Sequence, residues 1–242
     1  MAARSAQFDL RLAEKCAWGG RRAGAGRKRS AAPPVPHRRR QGIAARFPAH
    51  VTVSLAPGLP SLRTVALVRS LEQSFAAARD RGDFRLIHYA LQTTHAHLLV
   101  EASDARALGR GMKALGARIA RSLNRTFHRR GPVLAERFHM HVLRTPREVR
   151  NALAYVLLNA RHHARRFASG SGLDPASSAR WFDGWRRPSA VAGRAPVVAP
   201  VVQARTWLLT IGWRRHGLID PDEVPGLRGP LPRRHRRRDA ER

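Results

Sequence analysis

The chain has 242 residues, and its 46 Lys+Arg against 16 Asp+Glu give a formal net charge of +30. This length accommodates one ordinary domain with extensions or two small domains. The charge is far above what a neutral metabolic enzyme requires, and a surface of this kind gains affinity for polyanions by releasing counterions, so the expected partner is nucleic acid. Nearly all of the positive charge is arginine, which suits bidentate phosphate contacts and is also produced by GC-rich codon usage.

Cysteine content and hydropathy exclude further classes. The single cysteine, Cys16, rules out an internal disulfide framework and a CxxC metal site. No run of 18 apolar residues is present, and the N-terminal residues alternate charge with short apolar pieces. We therefore expect neither a transmembrane helix nor a secretory signal, and a cytoplasmic protein without membrane contact.

Residues 1–46 are predicted to form a basic, largely disordered arm. No acidic residue occurs between Lys15 and Leu71, and glycine alternates with basic residues over 19–29, followed by prolines and arginines over 33–40. Such a composition buries too little apolar area to fold on its own. It indicates either contact with nucleic acid or a tail that only keeps the protein soluble.

The following residues show alternating and helical patterns that predict the order β-α-β-β-α-β-α. Strands are expected at 50–55, 84–91, 96–102 and 133–145, and helices at about 61–80, 104–128 and 146–163. This order is typical of an α+β ferredoxin-like fold, a βαββαβ antiparallel sheet with helices against a face, here with a further C-terminal helix. We place this domain at 47–165. We interpret residues 166–242 as a basic, aromatic-containing C-terminal extension with a Ser-Gly linker and a short helix or strand at 207–213 that packs onto the core.

The third predicted strand carries a candidate metal site. His95 and His97 are separated by one residue, and because successive strand side chains alternate between faces, both imidazoles point the same way. Two imidazoles on one face are half of a metal site, although this spacing also arises by chance in a histidine-rich chain. His139 and His141 repeat the spacing and, with Glu136, form a weaker second candidate.

The last predicted helix carries a candidate nucleophile. Tyr155 and Asn159 are four residues apart, so a phenol and an amide share one face of the helix. The plain structural alternative is a tyrosine half-buried at the rim of the core with its hydroxyl in water. His162 and His163 are better explained as favourable charges at the carboxyl end of the helix than as ligands.

Taken in this order, the motifs resemble those of the single-tyrosine HUH transposases, in particular the REP-associated tyrosine transposases. The resemblance covers about residues 48–164 and rests on His50-Val51-Thr52, Thr94-His95-Ala96-His97-Leu98-Leu99 and Tyr155-Val156-Leu157-Leu158-Asn159. The chain departs from the family at three places. Ala96 replaces a usually large apolar residue, Gln92-Thr93-Thr94 replaces the usual Met-Pro-Asn, and no proline follows Asn159.

The resemblance implies a strand-specific DNA transesterase that processes short palindromic repeats. By this analogy His95, His97 and Asn159 hold Mg²⁺ or Mn²⁺, and Tyr155 attacks the scissile phosphate to give a 5′-phosphotyrosine and a free 3′ hydroxyl. The implied partner is single-stranded or hairpin DNA, bound by a monomer or a homodimer in the nucleoid of a bacterial cytoplasm. Two alternatives remain, a DNA- or RNA-binding protein of this fold that does not cut, and a basic RNA-associated protein whose His-x-His pair is incidental.

Overall fold

The computed structural model describes residues 42–160, 172–187 and 198–225. Most of the predicted basic arm, the predicted Ser-Gly linker, His162 and His163, and the C-terminal arginine run lie outside these residues. The statements below concern the described ranges only.

A four-stranded antiparallel sheet forms the centre of the fold, with the strand order β2-β3-β1-β4. The strands are β1 (Ala49–Ser54), β2 (Phe84–Leu91), β3 (His95–Ala102) and β4 (His139–Val142). Three helices alternate with them, α1 (Val65–Ala76) after β1, α2 (Ala105–Thr126) after β3 and α3 (Pro146–Leu157) after β4. This is the α+β, ferredoxin-like arrangement that the sequence predicts.

The fourth strand is much shorter than the predicted 133–145. Only four residues pair with β1, while Leu134 makes a single isolated bridge to Leu55. Between them Glu136 and Arg137 are exposed in a bend. These charged side chains interrupt the apolar alternation, so the chain leaves the sheet and returns to it at His139.

The helix starts follow from local capping chemistry. The Asp104 carboxylate accepts hydrogen bonds from two backbone N–H groups in the first turn of α2. At the start of α3, Thr145 and Glu148 form a capping box around the proline at the first helical position. The capping box fixes where α3 begins, and therefore the height of Tyr155 along the sheet.

The sheet separates two apolar cores. One face packs against α1 and α2, which lie side by side, and Phe84 of β2 fits against Gly111 of α2, where a Cβ atom would come within 2.1 Å of the ring. The other face packs against α3, with Leu99 of β3 beneath Leu153 and Val156. The sequence predicts helices against a face, and the structure has them on both.

The C-terminal extension completes the second core. It contains a short helix α4 (Trp207–Thr210) and a 3-10 turn (Gly212–His216), and the buried Trp213 packs in the α3 core. The N–H of Val202 donates to the carbonyl of Leu86, and the N–H of Leu91 donates to the carbonyl of Ala176. These bonds cover the free edge of β2, which would otherwise present unpaired backbone groups.

Within the described residues, no helix is both long enough and apolar enough to cross a membrane.

Candidate metal and tyrosine site

The face of β3 that carries the two histidines is the face covered by α3. Every second residue of the strand lies on this face, namely His95, His97 and Leu99. Ala96 points into the α1 and α2 core on the other side. Ala96 is fully buried between its cross-strand partners Val53 and Leu91. Its small side chain therefore concerns the packing of that core, and it does not line the histidine side of the sheet.

The two imidazoles approach each other through their outer nitrogens. His95 Nε2 lies 3.0 Å from His97 Nε2, and the ring planes are tilted by 82°. Two nitrogen ligands that bind one cation at right angles, with bonds of about 2.1 Å, lie about 3 Å apart. The pair therefore fits two neighbouring coordination positions of a divalent cation. The same distance also fits a hydrogen bond between neutral imidazoles.

Two side chains of β1 hold the inner nitrogen of His97. Its Nδ1 lies 3.2 Å from Oγ1 of Thr52, the residue directly opposite in the strand pairing, and 3.2 Å from Nε2 of His50. A proton on Nδ1 therefore has two acceptors, and keeping it there leaves the lone pair on Nε2. A histidine that binds a metal commonly donates its other N–H in this way.

His50 is suited to act as an acceptor because it stays neutral. Burial, reinforced by the nearby His141, lowers the pKa of His50 to about 4. At neutral pH its Nε2 therefore accepts a hydrogen bond when the ring proton is on Nδ1. Neither His50 nor Thr52 is a predicted site residue, although their alternation with the buried Val51 places both on one face of a strand.

Tyr155 lies over this imidazole cluster. Its ring centroid is 5.0 Å from that of His97 and 5.8 Å from that of His50, with edge-to-face angles of 75° and 68°. The half-buried tyrosine reaches the cluster from α3, while Val156 and Leu153 on the same helix enter the apolar core. The structure thus brings together three of the four predicted site residues.

Asn159 is placed differently from what a continuous helix predicts. The helix α3 ends at Leu157, and the chain turns at Leu158 before helical geometry resumes at Asn159. Asn159 is 1% exposed, and neither its Oδ1 nor its Nδ2 has a hydrogen-bond partner in the described part of the chain. A buried amide without partners is costly, so its oxygen fits a ligand position. Its role as a third ligand remains a prediction.

The second candidate histidine pair is exposed. His139 Nε2 lies 2.9 Å from Glu136 Oε1, and His141 faces His50 across the β1–β4 pairing. Among the described residues, no three or more His, Cys, Asp or Glu side chains are grouped so that they could hold a metal ion. A cation at His95 and His97 would therefore need an amide, water or phosphate oxygen to complete its ligands.

A basic surface lies on the other side of the sheet. The helix α2 contains no acidic residue, and its outer face exposes a row of cations at Arg106, Arg110, Lys113, Arg121 and Arg125. Arg110 is paired with Asp83, whereas the other four make no ion pair with the described residues. Because α2 and α3 cover opposite faces, this row does not adjoin the histidines.

Comparisons with known proteins concern the fold. No protein-family model matches the chain, and no curated protein matches its sequence. The structure is similar to that of a REP-associated tyrosine transposase bound to a REP hairpin, with a TM-score of 0.49 and 14% identity over 71% of this chain and 99% of the other. It is also similar to a candidate transposase from Deinococcus radiodurans R1, with a TM-score of 0.35 and 15% identity over 44% of this chain and 85% of the other.

Proposed function

We propose that this protein is a metal-dependent, single-stranded DNA endonuclease and transposase that cleaves and rejoins DNA at short palindromic repeats through a 5′-phosphotyrosine. The observation that carries the proposal is the edge-to-face contact of the Tyr155 ring, at 5.0 Å between centroids, with the imidazole of His97, whose Nε2 is 3.0 Å from that of His95. The ring of the proposed nucleophile thus adjoins one proposed metal ligand, whose Nε2 contacts the other. The high positive charge supports a DNA substrate.

Tyr155 is the nucleophile of the proposed cleavage. The Tyr155 oxygen forms a bond to the scissile phosphorus, and the bond from phosphorus to the 3′ oxygen breaks. The phenol proton leaves to solvent, and the departing 3′ oxygen takes up a proton. The phosphotyrosine conserves the bond energy, so attack by a 3′ hydroxyl rejoins DNA without a nucleotide cofactor.

The donor set fits Mg²⁺ or Mn²⁺. His95 and His97 would hold the ion through Nε2, and the Asn159 oxygen would be the third protein ligand. When bound, such a cation polarises the phosphate and stabilises the developing charge. With a proton on the His97 Nδ1 beside His50 and Thr52, the Nε2 lone pair would point outward, and the imidazole would need no tautomer change on binding.

The row of cations on α2 is proposed to grip the DNA backbone away from the cleavage site. Phosphate contacts of this type fix register and orientation without reading sequence. Because α2 covers the face opposite α3, a hairpin stem bound there would have to send its single-stranded end around the sheet to Tyr155. This separation suits a substrate with a duplex part and a single-stranded part.

A second candidate function is a DNA- or RNA-binding protein of the same fold that does not cut. The contact between His95 and His97 supports this alternative, because two neutral imidazoles at this distance can form a hydrogen bond without a metal. Under this alternative the basic face of α2 retains its role, and Tyr155 is only a packed aromatic side chain.

Formation of a covalent adduct separates the two functions. The protein is incubated with Mn²⁺ and labelled hairpins that carry single-stranded flanks from the palindromic repeats of its own genome. We expect a labelled adduct that resists denaturation, that is lost in Tyr155→Phe and that persists in Tyr89→Phe. Tyr89 is the matched control because the chain has only two tyrosines and Tyr89 is buried, with its hydroxyl donating to Glu72. Absence of an adduct on every such hairpin would favour the non-cutting protein.

A further inference from the structure

An exposed aromatic surface lies on the C-terminal extension, outside the site described above. Four large apolar side chains are exposed among the described residues, and Trp207, at 45%, is the aromatic one. Ile211, at 57%, follows one helical turn later. Both belong to the short segment whose opposite side packs on α3.

The indole is held in place by its own segment. Trp207 rests on Gly212, where a Cβ atom would lie 2.6 Å from a ring carbon, so that position accepts no side chain. The Arg215 guanidinium carbon lies 4.9 Å from the ring centroid, a cation–π contact. Beneath them Leu208, Leu209 and Trp213 are buried in the α3 core. A large apolar ring is thus kept partly in water on a rigid support.

The surroundings of Trp207 are positively charged. Arg215 makes no ion pair with any described residue, and the side chain of Arg205 is 67% exposed, with a single contact of 3.8 Å to Asp80. Arg205 also borders an open cavity of about 410 Å³ that is lined by Arg46 and by two carboxylates, Asp83 and Glu101, each of which is paired with an arginine. An occupant with negative charge beside a flat apolar group complements this surface.

We propose that Trp207, Ile211 and Arg215 form a stacking platform for an unpaired base of single-stranded DNA, with neighbouring phosphates held by Arg205 and Arg215. Base stacking on aromatic side chains within a positively charged groove is the usual means of holding single strands without sequence readout. The platform goes beyond the proposed cleavage reaction and needs neither the metal nor Tyr155. It gives the C-terminal extension a role in binding.

Self-association is a poorer explanation of this surface. A two-fold dimer places the same patch of both subunits in one interface, so the positive charges of Arg205 and Arg215 would be present there twice. Like charges brought together at an interface oppose association. The phosphates of DNA instead neutralise them.

Trp181 shows how an aromatic ring beside arginine looks when it serves the fold. Arg180 lies 4.3 Å from its centroid, but this guanidinium is bonded to Glu72, and the ring packs on the α1 and α2 core. The charge there is already neutralised, and the indole is less exposed than that of Trp207. The arginine beside Trp207, Arg215, makes no ion pair with any described residue.

The test measures binding of the full-length protein to a fluorescent single-stranded oligonucleotide in EDTA, by anisotropy. Trp207→Ala should weaken binding by at least about fivefold, which corresponds to the lower end of the free energy of base–aromatic stacking. The affinity of Trp207→Phe should lie between those of the wild type and Trp207→Ala. Arg215→Gln should also weaken it. The control Val65→Ala, at another exposed apolar side chain, should leave it unchanged. Circular dichroism and thermal melting establish that each variant is folded.

The same measurements are made with duplex DNA and with single-stranded RNA of the same length. Loss confined to single-stranded DNA supports the platform. A change of less than twofold in Trp207→Ala, an equal loss on duplex DNA, or an effect on RNA alone would overturn it, as would an oligomer in sedimentation that Trp207→Ala dissociates. Because no cleavage is measured, the platform can stand even if no phosphotyrosine adduct forms.

Discussion

The Nε2 of His50 and the Nδ1 of His97 lie 3.2 Å apart across the pairing of β1 and β3, on the side of the His97 ring that faces away from His95. Thr52 Oγ1 lies equally close to that Nδ1. With β1 beside its inner nitrogen, His97 directs its outer nitrogen, Nε2, towards His95. The candidate site extends over two strands and one helix. Four testable predictions follow from it and from the buried polar groups around the fold.

Removal of the two β1 acceptors should weaken metal binding without removing a ligand. We expect the double variant His50→Ala/Thr52→Val to bind Mn²⁺ about 10- to 100-fold more weakly, because the His97 proton is then no longer confined to Nδ1. Isothermal titration calorimetry measures the affinity, and ¹⁵N shifts of His97 report the tautomer. His139→Ala is the matched control, since that exposed histidine on β4 bonds only to Glu136 in the described contacts. Equal affinities in all three proteins would contradict the role assigned to β1.

The nitrogen-rich donor set should favour Mn²⁺ over Mg²⁺. Imidazole is a better ligand for transition metals, whereas Mg²⁺ prefers oxygen and gives up water reluctantly. Both affinities are measured in wild type and in His95→Ala, which removes one of the two imidazoles. The preference for Mn²⁺ should fall in the variant. A wild-type protein that binds Mg²⁺ more tightly than Mn²⁺ would argue against two nitrogen ligands.

The order of elements could be predicted from the sequence because it depends on local patterns. Strand alternation likewise predicts that His95 and His97 share one face. The position of Tyr155 over that face depends on how α3 packs on the sheet, which local patterns do not fix. The contacts of His50 and Thr52 with His97 depend on the register between β1 and β3, which a single sequence does not contain. Only the structure shows that Thr52 lies opposite His97.

The C-terminal extension was beyond local reasoning for a related reason. The pattern around Trp213 is compatible with a short helix or a strand, and its burial depends on contacts with α3, which is distant in sequence. Arg150 of α3 binds the Glu223 carboxylate at 2.6 Å and 2.7 Å, a contact between residues 73 apart. Such long-range pairs decide where an extension packs, and composition alone marks it only as basic and aromatic.

Acid should destabilise the fold through a buried histidine. Burial lowers the pKa of His88 to about 3, from about 6.5 in the unfolded chain, so the unfolded state binds the extra proton first. The contribution of neutral His88 to the free energy of unfolding is fully present above about pH 6.5. It falls by about 1.4 kcal/mol per pH unit as the pH drops from about 6.5 towards 3. Urea denaturation of wild type and His88→Gln between pH 7 and 4.5 checks this, since the variant should lose less stability over that range. Parallel pH profiles would show that His88 is not responsible.

The buried carboxylate of Glu101 should be among the costliest polar groups to remove. It accepts hydrogen bonds from Arg85, at 3.2 Å, and from the backbone N–H groups of Arg205 and Thr206, and both charged side chains are more than 90% buried. Glu101→Ala leaves the Arg85 charge without this partner and releases the segment that leads into α4, so we expect a loss of about 3–5 kcal/mol in the free energy of unfolding. Glu136→Ala, which removes an exposed partner of His139, should cost less than about 1 kcal/mol. Urea denaturation at pH 7 measures both losses, and similar values for the two variants would mean that Glu101 does not anchor the extension.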